Sequence, residues 1–445
     1  MPYTSRTVGI YTLGCKVNQY ESEAIAERFR ADGFTVKQAT EVCDVYVINT
    51  CTVTAESDRK ACQLIRRAVH RNPNAYVLVT GCFSQTQPQR AASIEGVDYI
   101  CGNAEKLSVV TAAERLIDEG KKSVPPETVQ KAPDENGFEA MRIGQFDRTR
   151  AYVKIEDGCE SHCTYCIIPA ARGKIRSKPP QEVLSEVLAL TDAGCREIVL
   201  TGIETASYGK DLEGYGLADL LCEIDRIPGI GRVRLGSLDP SIMKDSFVKR
   251  IASLKSLAPH FHLSMQSGSD RILALMKRKY CAKMALEGME RLRKAIPGVR
   301  FTTDMIVGFP QETDEDFEET LQFTQKAQFL MIHVFPYSRR AGTPAAVLSG
   351  QVPEAVKRRR AELLSTEESK IRQNLLNAVT DQTVSVLFET YENGMAYGHT
   401  PDFLEVAAPS PFSLHAKTLQ VTIRRNDGTV CCGSISDPDY DSILR

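Results

Sequence analysis

The chain has 445 residues and a net charge of −2, with 55 lysines and arginines against 57 aspartates and glutamates. This length predicts about three domains, and this charge excludes a global attraction to nucleic acid, so local basic clusters must hold any RNA partner. Fourteen cysteines without a secretory start indicate metal ligation rather than a disulfide framework. No stretch is apolar enough to span a membrane, and we expect a cytoplasmic protein.

The first 120 residues alternate apolar, β-prone runs with segments of helical periodicity. Such alternation predicts a doubly wound parallel sheet, and we assign residues 1–120 to an amino-terminal α/β domain. The predicted strands are 7–13, 44–49, 75–80 and 97–101, and the predicted helices are 18–31, 56–70, 87–93 and 104–119.

Three cysteines of this domain each stand where a predicted strand ends and a loop begins. They are Cys15, Cys51 and Cys82, which we name the edge triad. Because the carboxyl ends of parallel strands share one edge of a sheet, we expect the three thiols to lie together and to ligate one metal group, without an obvious fourth ligand. The alternative is that they are small buried residues, since free cysteine is often buried.

The central part of the chain predicts a second α/β domain. Residues 121–147 are polar and rich in proline and glycine, which predicts a linker. Residues 148–378 repeat strand and helix six times, which predicts an open partial TIM barrel with its chemistry on the loops after the strands. The predicted strands are 151–156, 197–201, 232–238, 260–265, 301–307 and 331–335, and the helices between them are 180–193, 217–226, 246–254, 283–296 and 314–327.

The loop after the first barrel strand contains the spacing C-x3-C-x2-C. Its members are Cys159, Cys163 and Cys166, which we name the loop triad. Three thiolates at this spacing can hold three irons of a [4Fe–4S] cube and leave the fourth iron open to an exogenous ligand. A structural zinc site would require a further Cys or His, and His162 inside the loop is poorly placed for it. Structural zinc or plain structural cysteines remain the alternatives.

The last part of the chain predicts a long charged helix over 352–378 and a small β-barrel over 379–445, because short β-prone runs are separated by turn signals. Basic residues near the predicted barrel site are candidates for RNA phosphate contacts, although charge runs are often only solvated surface. The candidates are Lys174, Arg176, Lys277 and Arg278.

Several motifs together resemble the radical S-adenosylmethionine methylthiotransferases. The amino-terminal motifs are TLGCKVNQYES (12–22), INTCTVT (48–54) and GC (81–82), and the later ones are the loop triad, QSGSD (266–270), DMIVGFPQET (304–313), HVFPYS (333–338) and GT (342–343). The resemblance covers nearly the whole chain. It implies that the α/β domain, the partial barrel and a carboxyl-terminal TRAM-like β-barrel occur in this order.

The resemblance implies two [4Fe–4S] clusters and S-adenosylmethionine as cofactors. The loop triad would hold the cluster that cleaves S-adenosylmethionine, and the edge triad would hold an auxiliary cluster that carries the sulfur. One S-adenosylmethionine would methylate that sulfur, and a second would yield the radical that removes hydrogen from C2 of an adenine. The implied contacts of S-adenosylmethionine are Tyr165, Glu204, Gln266 and Asp304.

Alternatives remain for two of these contacts. Glu204 could be a solvated loop carboxylate, and Asp304 could be a barrel-interior residue bonded to a neighbour. Family members more often carry His or Asn at the position of Glu204, and Ser and Glu at those of Gly236 and Asp239.

Among the branches of this family, GCKVNQYE is most similar to the enzymes that act on N6-threonylcarbamoyladenosine beside the tRNA anticodon. The other branches usually carry other residues after the first cysteine. The implied partners are the tRNA anticodon stem–loop, an electron donor of the flavodoxin or ferredoxin type, and a sulfur donor. The alternatives are methylthiolation of isopentenyladenosine or of a ribosomal protein, and a non-enzymatic iron–sulfur carrier that binds tRNA.

Overall fold

A six-stranded parallel sheet forms the amino-terminal part of the computed structural model, which describes residues 6–120, 125–133, 137–144, 149–438 and 440. The strands pair in the order β2-β1-β3-β4-β5-β6. They are β1 (Thr7–Thr12), β2 (Thr35–Lys37), β3 (Val45–Thr50), β4 (Tyr76–Gly81), β5 (Tyr99–Cys101) and β6 (Glu127–Val129). The helices are α1 (Lys16–Ala31), α2 (Ala55–Arg71), α3 (Cys82–Thr86), α4 (Pro88–Ala92) and α5 (Ser108–Glu119).

Helices cover both faces of this sheet, which confirms the predicted doubly wound arrangement. Every residue of β3 is buried, and alternate side chains enter different cores because successive side chains of a strand point to opposite faces. Val47 packs with residues of α1 and α5, whereas Ile48 packs with residues of α2. The strand β6 pairs with β5, so part of the segment predicted as a linker extends the sheet instead.

The central part contains six parallel strands separated by helices. Together with a separate short pair, β8 and β9, its strands are β7 (Arg150–Lys154), β8 (Glu156–Asp157), β9 (Arg176–Ser177), β10 (Glu197–Thr201), β11 (Arg232–Leu235), β12 (His260–Gln266), β13 (Arg300–Val307) and β14 (Met331–Pro336). Its helices are α6 (Ile168–Arg172), α7 (Pro180–Asp192), α8 (Leu217–Ile224), α9 (Asp245–Ile251), α10 (Asp270–Leu275), α11 (Ala282–Ala295), α12 (Asp314–Ala327) and α13 (Glu354–Asn377).

These strands form the predicted open barrel. Two parallel sheets, β7-β10-β11 and β12-β13-β14, are joined by bridges from Val233 to Leu257 and from Leu238 to Leu263. The short pair β8-β9 is antiparallel and lies outside this series. One continuous hydrophobic core joins strands and helices of both halves, so the barrel is a single packed unit.

The carboxyl-terminal part is a closed barrel with the strand order β15-β16-β17-β19-β18, as the turn signals predicted. Its strands are β15 (Thr383–Glu392), β16 (Met395–His399), β17 (Glu405–Pro409), β18 (Thr418–Asn426) and β19 (Cys431–Ile435). Leu376 of α13 shares its core, which attaches the small barrel to the central one. None of the helices among the described residues has the length and apolar character needed to cross a membrane.

Candidate cluster sites and the cavity between them

The edge triad lies at the carboxyl edge of the amino-terminal sheet. The register pairs Thr50 of β3 with Gly81 of β4, so Cys51 and Cys82 are the next residues of neighbouring strands. The N–H of Leu13 donates to the carbonyl of Asn49 at 2.9 Å, which sets the turn before Cys15 beside the end of β3. The topology therefore brings three cysteines that are distant in sequence to one edge.

Two glycines allow this close approach. Gly14 has φ +110°, and a Cβ built on it would lie 2.9 Å from Cβ and 3.1 Å from Sγ of Cys51. Gly81 has φ +103°, and its Cβ would lie 2.5 Å from the carbonyl oxygen of Thr50. Both the positive φ and the missing space favour glycine. The motifs GC at 14–15 and 81–82 thus serve to place the cysteines.

The three thiols of the edge triad influence one another. Cys15 is an exposed residue, but desolvation by the surrounding protein raises the pKa of its thiol, and Arg172 offsets part of this rise. Burial and the neighbouring thiols of Cys82 and Cys15 raise the pKa of Cys51 to about 11. Thiolates that repel one another in a desolvated site require positive charge, and the irons of a cluster would supply it. The donor set therefore fits a shared cluster.

A network of buried ion pairs contacts Cys82 through the guanidinium of Arg172. The guanidinium of Arg172 donates to Cys82 Sγ at 3.4 Å, to Glu21 Oε1 at 2.7 Å and to Asp157 Oδ1 at 3.1 Å. Lys154 Nζ lies 2.8 Å from Glu21 and 2.6 Å from Asp157, and Lys106 also pairs with Glu21. These side chains are at most 4% exposed. The network links the edge triad to the strand that leads into the loop triad.

Three cations of this network, Arg172, Lys154 and Lys106, share two carboxylates, Glu21 and Asp157. Burial by itself raises the pKa of Asp157, but Arg172 and Lys154 outweigh it and lower that pKa to about 2. The pKa of Glu21 is held well below its usual value, because Arg172 and Lys106 outweigh the effect of burial. Both carboxylates are therefore ionised at neutral pH, where they hold the Arg172 guanidinium against Cys82.

The loop triad follows β8 in a tight loop whose first residues pack against the backbone of Gly173 and Lys174. Gly158 has φ +88°, and a Cβ there would lie 1.9 Å from the carbonyl oxygen of Lys174. The N–H of Ser161 points at Cys159 Sγ at 3.4 Å, and the N–H of Ile168 points at Cys166 Sγ at 3.4 Å. Backbone N–H groups directed at sulfur stabilise thiolates, so this donor set also fits an iron–sulfur cluster.

An arginine accompanies the loop triad as well. Arg278 donates to Cys163 Sγ at 3.1 Å and to Asp239 Oδ2 at 2.9 Å. Burial, together with the thiols of Cys163 and Cys159, raises the pKa of Cys166 to about 12, so the thiolate needs this positive surrounding. Among the described residues, no three His, Cys, Asp or Glu side chains are close enough to share a single metal ion.

Glu204 lines a cavity of about 290 Å³ beside the loop triad, together with Ser161, Asp239 and Lys279. Its carboxylate accepts a hydrogen bond from the backbone N–H of Asp239 at 3.2 Å. Burial and the nearby Asp239 carboxylate raise the pKa of Glu204 to about 7. Two of the positions that depart from the family pattern, Glu204 and Asp239, are therefore in contact, and the predicted cofactor contact lies next to the loop triad.

The other predicted contacts of S-adenosylmethionine do not line this smaller cavity. Tyr165 is partly buried against a hydrophobic cluster that contains Met276 and Phe309. Gln266 ends β12 with φ +67°. Asp304 lies deeper and pairs with His262 at 3.2 Å, which matches the alternative of a barrel-interior residue bonded to a neighbour.

A larger cavity of about 440 Å³ occupies the barrel interior and reaches Cys15 of the edge triad. Its polar lining residues, apart from Asp304, were not identified from the sequence. They include Lys16, Arg150, Arg234, His260, His262 and His333. Lys16 is an exposed residue, but the protein around its ammonium desolvates it, and this desolvation, followed by repulsion from Arg234 and Arg150, lowers its pKa. Signals in the sequence existed for Lys16, which follows Cys15 in the motif that distinguishes the branches, and for His333, which begins the motif HVFPYS.

The small carboxyl-terminal barrel closes one end of this cavity. Phe403, with φ +76°, stacks on His260 with ring centroids 4.4 Å apart and lies under the guanidinium of Arg234. Glu197 fixes Arg234 at 2.7 Å and Arg150 at 3.3 Å. The cavity is therefore built from all three parts of the chain.

Two of the four predicted RNA contacts lie inside the protein. Arg176 is 8% exposed and donates to the carbonyls of Arg172 and Lys174, and the Arg278 side chain is 5% exposed and bonded as described above. A buried, bonded guanidinium does not reach a phosphate, so the structure leaves the predicted RNA contact to Lys174 and Lys277, which are exposed.

Comparison with known proteins identifies the same parts of the chain. Residues 153–324 match the Radical SAM superfamily, and residues 7–102 match the Uncharacterized protein family UPF0004. The threonylcarbamoyladenosine tRNA methylthiotransferase MtaB of Bacillus subtilis (strain 168) is 39% identical over 94% of this chain and 93% of its own. The tRNA-2-methylthio-N(6)-dimethylallyladenosine synthase of Desulfitobacterium hafniense (strain Y51) is 33% identical over 92% and 93%.

Among solved structures, the radical S-adenosylmethionine methyltransferase TsrM from Kitasatospora setae superposes with a TM-score of 0.55 at 17% identity, over 77% of this chain and 75% of its own. This likeness shows a shared fold. The relatives above match in sequence over almost their whole length. The chain therefore belongs to the radical S-adenosylmethionine methylthiotransferase family.

Proposed function

We propose that this enzyme inserts a methylthio group at C2 of N6-threonylcarbamoyladenosine next to the anticodon of a tRNA. The observation that carries the proposal is the barrel cavity, which reaches Cys15 of the edge triad and is lined by cationic and polar side chains. The Bacillus subtilis relative, which has the higher identity of the two reported above, bears the name of this reaction, which supports the same substrate.

The loop triad would hold one [4Fe–4S] cluster and the edge triad an auxiliary one. When bound, the two clusters and S-adenosylmethionine supply the one-electron and sulfur chemistry that an unactivated aromatic C–H requires and that side chains lack. The chain contributes charge and position: Arg278 donates to Cys163 and Arg172 to Cys82, so each triad has a guanidinium that stabilises thiolate charge.

The cofactor end of the site is held by residues near the loop triad. Glu204 faces the smaller cavity, where its carboxylate can accept hydrogen bonds from the amino group of S-adenosylmethionine. Tyr165 and Gln266 would be further contacts of S-adenosylmethionine outside this cavity, and Asp304 would face the barrel interior, where it pairs with His262. The apolar residues around Tyr165 exclude water from that side of the site.

The tRNA would approach from the open mouth of the barrel. Lys174 and Lys277 are exposed near the loop triad and would contact phosphates, while the carboxyl-terminal barrel would grip the RNA in the manner of a TRAM domain. An unpaired anticodon-loop base can be splayed into a pocket, as the cavity requires. A flavodoxin- or ferredoxin-type donor and a sulfur donor would complete the cycle.

The test is nucleoside mass analysis of tRNA from a host that lacks methylthiolation, with and without this gene. The 2-methylthio derivative of threonylcarbamoyladenosine should appear with the wild-type gene and be absent with Cys15→Ala. Methylthiolation of isopentenyladenosine alone would assign the chain to the sister branch. A purified protein that cleaves no S-adenosylmethionine on reduction would instead indicate a carrier.

A further inference from the structure

The larger cavity holds one cation that has no partner at bonding distance. Arg234 and Arg150 are both engaged with Glu197, and Arg150 also pairs with Glu389 of the small barrel. Within the part of the chain that the structure describes, Lys16 is exposed towards the cavity, and its ammonium makes neither a hydrogen bond nor an ion pair. The one carboxylate lining the cavity, Asp304, is already paired with His262.

The two adenosine derivatives acted on by the relatives differ in the charge of their N6 substituent. A dimethylallyl group is apolar, whereas a threonylcarbamoyl group ends in a carboxylate. An apolar tail placed against Lys16 would desolvate its charge without compensation, and a carboxylate would pair with it. A site built around a charged contact rejects the analogue that lacks the complementary group.

The position of Lys16 fits this role. Lys16 follows Cys15 directly and begins α1, so its side chain enters the cavity at the wall that carries the edge triad. In adenine, N1 is flanked by C2 and by C6, the ring carbon that carries the N6 substituent. A base that turns its N1 edge towards the edge triad therefore brings both C2 and its N6 substituent close to the wall that carries Cys15 and Lys16.

We propose that Lys16 determines substrate specificity by binding the carboxylate of the N6 threonylcarbamoyl group. This inference rests on the proposed function, because it assumes that the modified adenosine enters the larger cavity. Lys16 acts here as a binding residue. The contact exists before any chemistry, so it can be measured as affinity.

The experiment compares two anticodon stem–loop RNAs that carry either the threonylcarbamoyl acid or its uncharged carboxamide, an otherwise matched analogue. Binding to the cluster-loaded protein is measured by fluorescence anisotropy for the wild type, Lys16→Met and Lys16→Arg. We expect the wild type to prefer the acid by about tenfold or more, since a hydrogen-bonded charge pair contributes this much.

We expect Lys16→Met to bind the acid and the carboxamide equally and Lys16→Arg to restore the preference. Lys174→Ala is the matched control, because an exposed phosphate contact should weaken both RNAs alike. An unchanged preference in Lys16→Met, or none in the wild type, would overturn the inference. If the wild type instead methylthiolated only isopentenyladenosine in the tRNA assay above, the proposed function itself would fail.

Discussion

The edge triad and the loop triad place three thiols in similar surroundings by different means. The loop triad lies within a single short segment, and local backbone N–H groups already point at two of its sulfurs. The cysteines of the edge triad follow three different strands, and their closeness depends on the parallel register and on the glycines at two of the strand ends. Each triad nevertheless receives one guanidinium, from Arg278 or Arg172.

The two arginines differ in what supports them. Arg278 is held by Asp239 and a backbone carbonyl close to its own loop. Arg172 belongs to a buried network that includes Glu21 of the amino-terminal domain and Asp157 of the barrel. A local site tolerates small movements of the domains, whereas a site collected from distant strands requires the domains to stay fixed. The network provides that rigidity.

Removing one cysteine from each triad should separate their roles most clearly. We expect Cys159→Ala to abolish reductive cleavage of S-adenosylmethionine, and Cys15→Ala to keep cleavage but lose methylthio transfer. Each variant should retain about half of the iron, since one of two clusters is lost. The measurements are 5′-deoxyadenosine formation and iron content, with buried Cys62→Ala as a control that keeps both. Loss of cleavage in Cys15→Ala would contradict this division.

Breaking the network behind Cys82 should have the next largest effect. Arg172→Met removes the buried hydrogen bonds of this guanidinium to Glu21 and Asp157, which keep Lys154 as a partner, so we expect a loss of about 2–3 kcal/mol in unfolding free energy. The control is Arg28→Met, whose exposed pair with Asp32 at 2.9 Å should contribute at most about 1 kcal/mol. Denaturant unfolding measures both, and equal losses would show that the network adds nothing beyond a surface ion pair.

The close approach at the sheet edge can be tested with two glycines. Gly14→Ala places a methyl group against Cys51, whereas Gly33→Ala has the same kind of positive φ, +86°, with no atom within 4 Å. Backbone strain should cost each variant about 1–2 kcal/mol. We expect only Gly14→Ala to lose iron from the edge triad as well. Full iron content in Gly14→Ala would show that the strand ends can move apart.

The smallest expected effect is a pH dependence at the loop triad. Burial and Asp239 raise the pKa of Glu204 to about 7, so its carboxylate ionises as the pH rises through neutrality. If the ionised form accepts bonds from S-adenosylmethionine, affinity should increase a few-fold from about pH 6 to about pH 8. Equilibrium binding to the cluster-loaded protein measures this change, and Glu204→Gln should make the profile flat. The same slope in that variant would assign the titration elsewhere.

Features set by local spacing were predicted well. The alternation of strands and helices gave both α/β parts, and turn signals gave the small barrel. Short elements such as β2, β6, β8, β9 and α3 were missed, because two to five residues carry too little periodicity. The strand β6 also forms only because the edge of β5 is available to it, which the composition of a linker does not reveal.

The site was predicted in part. The cysteines could be grouped because strand ends share an edge, but the chain pattern did not show that Arg176 and Arg278 point inward. Basic residues are usually exposed, and only tertiary packing supplies the carboxylates and carbonyls that pair them inside. The stacking of Phe403 on His260 could not be predicted from the sequence either, because the two residues belong to different barrels.

The sequence by itself determined the two triads, the order of the three parts and the resemblance to a family, because these depend on spacing and periodicity along the chain. Only the tertiary structure decided that Lys16, Arg234 and Phe403 line one cavity beside Cys15, and that Glu21 and Arg172 join two domains. Whether a charge is buried and paired depends on which distant segments come into contact, and strand register and domain packing determine those contacts.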